Sequence, residues 1–139
     1  MPDTSGAATP RLPAGRVLVA APERLDDACF SVSAVRSLMA MPETGEVHVL
    51  CVDWQRSLWR TVPGVEVIGY REGARARAIR TEIEASRTEF SAAVLWEMSP
   101  AARAVRKTKI EQRFGPDIAG LAGELTTPLK ITRRPGPVE

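Results

Sequence analysis

Apolar residues in this chain fall into short, nearly unbroken runs, separated by stretches where they recur with a helical period. The first run, Arg16–Ala21 (RVLVAA), lacks the polar alternation of a half-exposed strand and suits a strand covered on both faces. Pro22-Glu23-Arg24 breaks it. From about Asp27 to Met39, Ala28, Val32, Val35 and Met39 line up as one stripe of a helix, which Pro42 ends. Glu46–Asp53 (EVHVLCVD) is a second strand. Gln55–Val62 is a short helix with Leu58 and Val62 on one face and Trp59 beside them, and Pro63-Gly64 is a turn. Val65–Tyr70 is a third strand, less apolar and carrying Glu66, as expected near a sheet edge. Ala74–Arg87 forms a helix that buries Ala76, Ile79 and Ile83, and Ser91–Glu97 is a fourth strand. Ser99 suits an N-cap and Pro100 a helix start, so a basic helix is expected over Ala101–Ile110. Gln112–Gly115 is a short fifth strand. Beyond it the pattern fades, with a helical turn over Leu121–Leu125 and an extended piece over Leu129–Thr132.

Strand and helix alternate throughout, which predicts an α/β fold: a Rossmann-like three-layer sandwich with a parallel sheet of four or five strands. Residues 16–132 form the single domain expected of this length, 1–15 a disordered lead-in rich in Pro, Gly and small polar residues, and 133–139 a tail or linker. In such folds ligands bind beyond the carboxyl ends of the strands, near the point where strand order reverses. The loops of interest are therefore 22–27, 53–55, 70–74 and 97–101.

Charge adds an asymmetry. The net charge is only +2, but residues 71–113 hold ten Lys/Arg against six Asp/Glu. That segment presents a mildly basic face, although the chain carries no recognisable nucleic-acid module. Cys29 and Cys51 sit in apolar runs and are expected to be buried free thiols. With a lone histidine, His48, and no Cys-x-x-Cys spacing, a metal site is not expected. His48 and the tryptophans Trp54, Trp59 and Trp96 read as core or sheet-end residues. No apolar run is long enough to span a bilayer and no leader is apparent, so a cytoplasmic location with at most peripheral membrane contact is expected.

The loop after the first strand carries the candidate chemistry. Ala21-Pro22-Glu23-Arg24-Leu25-Asp26-Asp27 contains no glycine, so the G-x-G-x-x-G cradle of a dinucleotide site and the P-loop are both absent. Two adjacent carboxylates would also repel a pyrophosphate. An aspartate at a helix start caps orphan amides and suits the positive end of the dipole. With Asp26 as N-cap, Leu25 and Phe30 stand at staple positions. Asp27 is then the first helical residue, free to face the cleft as a general base.

RVLVAAPERLDDACFSVSAVRSLMA resembles the opening of the family 9 glycosyltransferases, the ADP-heptose:lipopolysaccharide heptosyltransferases and their relatives. That family opens with an apolar strand, a polar-Leu/Met-Gly-Asp loop and a helix with Leu-Pro-Ala-Leu in its first turns. Here those positions read Arg24-Leu25-Asp26-Asp27 and Val32-Ser33-Ala34-Val35. VHVLCVDWQRSLWRTVPGVEVIGY and AAVLWEMSPAARAVRKTKIEQRFGPD extend the similarity over roughly 16–118. The resemblance implies the N-terminal, acceptor-side half of a GT-B enzyme, with Asp27 as the base of an inverting transfer. Arg24, Asp26 and Glu97 would lie on the acceptor side, Arg24 toward an acceptor phosphate. It implies no cofactor on this chain: the donor nucleotide sugar would sit on a C-terminal domain that the chain lacks and that a longer parent or a partner chain would supply. Two departures stand out, Asp26 for the family glycine and Ser33 for the helix proline. They keep open an alternative, a non-catalytic binding or assembly module derived from such a half-domain.

Overall fold

The computed structural model describes residues 15–118 and 120–129. Of the expected lead-in 1–15, residues 1–14 lie outside the described residues, as do 130–132 and the tail 133–139, while Gly15 opens the first strand. Among the described residues, six strands make one sheet: β1 (Gly15–Ala20), β2 (Thr44–Val52), β3 (Val65–Tyr70), β4 (Ala92–Leu95), β5 (Arg113–Pro116) and β6 (Thr127–Leu129). The α-helices that connect them are α1 (Leu25–Met39), α2 (Arg56–Arg60), α3 (Ala76–Ala85) and α4 (Pro100–Arg106). The strand order is β3-β2-β1-β4-β5-β6, and every pairing is parallel. The α/β class is as predicted, and β3 is an edge strand. The sheet has six strands, however, instead of four or five. β6 is three residues long with two of them exposed, too brief and too polar to show as an apolar run.

The chain runs left from β1 to β3 and then crosses back to lay β4, β5 and β6 on the other side of β1. Strand order therefore reverses between β1 and β4. On one face Val17, Val19, Val47, Val49 and Cys51 meet Ala28 and Val35 of α1 and Trp59 of α2. On the other, Leu18, Leu50, Ile68, Ala93 and Leu95 meet Ile79 and Ile83 of α3 and Ala101, Ala104 and Val105 of α4. Neighbouring residues of one strand appear in opposite clusters, as the two-residue period of a strand requires. The α3–α4 layer continues over Leu121, whereas the α1–α2 layer covers β1 to β3. Among the described residues no helix lies over β4 to β6 on that face, and Val94 and Trp96 stay only partly buried.

The helix termini follow local chemistry unevenly. Ser99 caps α4, accepting a bond from the Ala102 amide at 3.2 Å, with Pro100 as the first helical residue. The capping expected of Asp26 is not made. α1 begins two residues earlier, at Leu25; extended Arg24 is the N-cap residue and makes no side-chain cap bond. Asp26 and Asp27 stand inside the first turn, where acids still suit the helix dipole. The staple fails with it, since Leu25 and Phe30 are both exposed. Cys29 is exposed as well, against expectation, because it faces outward between the core residue Ala28 and exposed Phe30. Cys51 is buried near the end of β2, and burial pushes its thiol up to about 12. His48 and Trp59 are buried, while Trp54 is exposed just beyond β2.

Candidate functional site

The loop between β1 and α1 is fixed from three sides. Gln55, fully buried in the 3-10 turn that precedes α2, donates through Nε2 to the carbonyls of Pro22 at 2.8 Å and Glu23 at 3.0 Å. Its Oε1 accepts from Trp59 Nε1 at 3.1 Å, so the indole sets the direction of the amide. The Glu23 amide donates to Glu97 Oε2 at 3.1 Å, which ties the loop to the end of β4. Tyr70 Oη, at the end of β3, donates to Glu23 Oε2 at 3.3 Å. Burial, and then the nearby negative charge of Glu23, push the Tyr70 phenol upward, so it remains a donor. A buried amide with all three contacts made is a rigid connector, because breaking it strands desolvated polar groups.

This bracing forms one wall of a cavity of about 270 Å³ lined by Pro22, Asp27, Phe30, Ser31, Ala34, Trp96 and Glu97. Its walls come from the end of β1, the first turns of α1 and the end of β4, the pair of strands between which the order reverses. Two carboxylates, Asp27 and Glu97, border it. Ser31 turns its hydroxyl to the Ala28 carbonyl at 2.7 Å, leaving the wall between them small. An apolar groove of about 570 Å³ continues along α1 toward Leu38 and Met41 and shares Ala34 and Trp96 with the cavity.

Of the four residues singled out in the sequence, the fold brings Asp27 and Glu97 together. Arg24 and Asp26 are not among the cavity's lining residues. They bind each other, Arg24 Nε and Nη2 donating to Asp26 Oδ1 and Oδ2, each at 3.3 Å, and both side chains are largely exposed. Asp26 Oδ1 also accepts from the Asp27 amide at 2.9 Å. These bonds hold the Asp26 carboxyl below the usual carboxylate range and raise the Arg24 guanidinium. Gln55, Glu23 and Tyr70 escaped residue-by-residue attention, although all three lie in or beside the strand-end loops expected to carry ligands. The one signal for Gln55 was its position four residues before Trp59, one helical turn away.

No family model matches the sequence, and the search of curated proteins finds no match. Among solved structures the chain is similar to the E. coli ADP-heptose lipopolysaccharide heptosyltransferase II. The TM-score is 0.64 at 26% identity, over 79% of this chain and 33% of that one. The chain thus spans about a third of the length of the enzyme it matches. The sheet and this similarity agree: the chain is a heptosyltransferase-like, Rossmann-like α/β domain.

Proposed function

We propose that the chain is the acceptor-side part of a heptosyltransferase-like inverting glycosyltransferase, acting on a lipopolysaccharide core or similar glycan. The observation that carries this reading is the pairing of Asp27 and Glu97 around one cavity at the reversal of strand order. Asp27 takes the proton from the acceptor hydroxyl while that oxygen forms its bond to the anomeric carbon. The bond from that carbon to the donor phosphate breaks, and its electron pair leaves with the nucleoside diphosphate. Glu97, anchored by the Glu23 amide, orients the acceptor through its remaining acceptor capacity.

The donor belongs to a second domain, from a longer parent protein or a partner chain. Support comes from the exposed large apolar residues at the carboxyl ends of the strands: Leu25, Phe30, Trp54 and Ile118. Exposed apolar side chains at that end suit a surface that another body covers. The acid at the family's glycine position is compatible with an anionic acceptor, because Arg24 neutralises Asp26 outside the cavity.

Titration of the chain by calorimetry tests the assignment. A lipopolysaccharide core oligosaccharide is expected to bind, Glu97→Gln to weaken it about tenfold through loss of one charged hydrogen bond, and ADP-heptose alone to give no signal. Binding of the nucleotide sugar without binding of the oligosaccharide would reverse the acceptor-side assignment.

A further inference from the structure

The two charged residues that line the cavity between β1, α1 and β4 are Asp27 and Glu97, and no lysine, arginine or histidine lines it. Among the described residues neither carboxylate is in an ion pair. The side-chain donors of the lining are turned elsewhere. The Ser31 hydroxyl donates to the Ala28 carbonyl at 2.7 Å, and Trp96 Nε1 is buried away from solvent. The nearby backbone donors are engaged as well. The Glu23 amide donates to Glu97, the Asp27 amide to Asp26 Oδ1 at 2.9 Å, and the Ala28 amide to the Arg24 carbonyl at 2.9 Å. A helix start is ordinarily a ready anion site; here the Asp26 carboxylate fills that place from within the chain. Arg24 feels the charges of Asp27 and Glu97, yet it lies outside the lining and directs Nε and Nη2 to Asp26. What the cavity offers is carboxylate acceptors and the apolar ring surface of Phe30 and Trp96. Phe30 is 80% exposed, so its ring is open to a ligand.

We infer that the group seated in this cavity is an unphosphorylated sugar ring, which donates its hydroxyls to Asp27 and Glu97 and lays an apolar face on Phe30, and that a phosphate on that same ring is rejected. The inference rests on the acceptor-side reading and narrows it to the charge of the sugar that receives the transfer. A sugar hydroxyl supplies the donor that each carboxylate lacks. A phosphate brings acceptors to a lining that already consists of acceptors, and its charge is repelled by both carboxylates. A negative group on a neighbouring sugar would lie outside the cavity, where Arg24 neutralises Asp26. The net charge of the whole chain, +2, would favour the phosphorylated ligand, so discrimination against it has to come from the local carboxylates.

Calorimetry with two synthetic core oligosaccharides, identical except for a phosphate on the non-reducing terminal sugar, tests it. At low salt the unphosphorylated one is expected to bind about tenfold tighter or more. The margin should narrow as salt screens the carboxylates, a reading that needs no variant. Asp27→Asn/Glu97→Gln keeps both shapes and should bring the two affinities within about twofold of each other. Glu66→Gln, the loss of an exposed carboxylate on the edge strand β3, should preserve the margin. Phe30→Ala should weaken the unphosphorylated ligand about fivefold through lost apolar contact. Equal or tighter binding of the phosphorylated oligosaccharide would overturn the inference and leave the acceptor-side reading standing. So would a margin that neither salt nor the double variant changes, which marks rejection by size. Binding of neither oligosaccharide would defeat the acceptor-side reading itself.

Discussion

One amide does much of the positioning in this molecule. Gln55 joins the β1–α1 loop to Trp59, and its bonds to the Pro22 carbonyl and the Trp59 indole are buried. Gln55→Leu keeps the volume and removes every bond. It should lower the stability by about 3 kcal/mol in urea unfolding, because buried polar groups are left unsatisfied. A loss below about 1 kcal/mol would mean that the loop is held by something else. His48 offers a second test at this scale. It is buried in β2 with its ring edge-on to Phe90 at 5.1 Å, and Nδ1 has no partner. Burial lowers its pKa, against the opposing pull of Glu46 and Glu66. The unfolded chain therefore takes up a proton near pH 6.5 that the folded chain refuses, so stability is full above that pH and falls as the pH drops below it. The drop in melting temperature between pH 7.5 and pH 5.5 should shrink in His48→Leu. An identical drop in both proteins would assign it to carboxylates instead.

Among the elements, those with long apolar runs were legible and those set by tertiary contacts were not. β1 and β2 carry nearly continuous apolar runs, β3 a shorter one broken by Glu66, and Ser99-Pro100 has the chemistry of a helix start, so pattern and fold agree there. The start of α1 did not follow from pattern. Two aspartates look like a cap, yet Gln55 and Glu97 fix Pro22 and Glu23 in the approach, and the first helical turn then closes from Arg24, whose carbonyl accepts the Ala28 amide at 2.9 Å. β6 was not legible: the extended piece expected over Leu129–Thr132 shares only Leu129 with it, and its parallel register with β5, Phe114 to Thr127 and Pro116 to Leu129, depends on a crossover through a 3-10 turn. Gly115 tests that edge. A Cβ there would meet the Leu95 carbonyl oxygen and Leu125 Cδ2, the former rigid backbone of β4. Gly115→Ala should therefore cost about 2 kcal/mol through strain between β4 and β5, measured by urea midpoint. A neutral result would show that β5 shifts freely.

For the molecule as a whole, strand order is what turns scattered residues into a site. Asp27 and Glu97 are 70 positions apart in sequence and border one cavity because β1 and β4 are neighbours where the sheet reverses. The sequence motif singled out Asp27, and the end of the fourth strand suggested Glu97. Their convergence follows from topology, as does the separation of Arg24 and Asp26, which satisfy each other at the loop surface. On the α1 side of the same sheet an open apolar groove runs along α1 beside Val94 and Trp96. The most direct test of the domain's chemistry is the turnover of Asp27→Asn, in the chain fused to the donor-side half of the matched heptosyltransferase, with ADP-heptose and a core oligosaccharide acceptor. The change keeps size and shape and removes the base, so kcat should fall by about 100-fold or more with the melting temperature unchanged. Transfer by the variant at near the unsubstituted rate would contradict Asp27 as the general base.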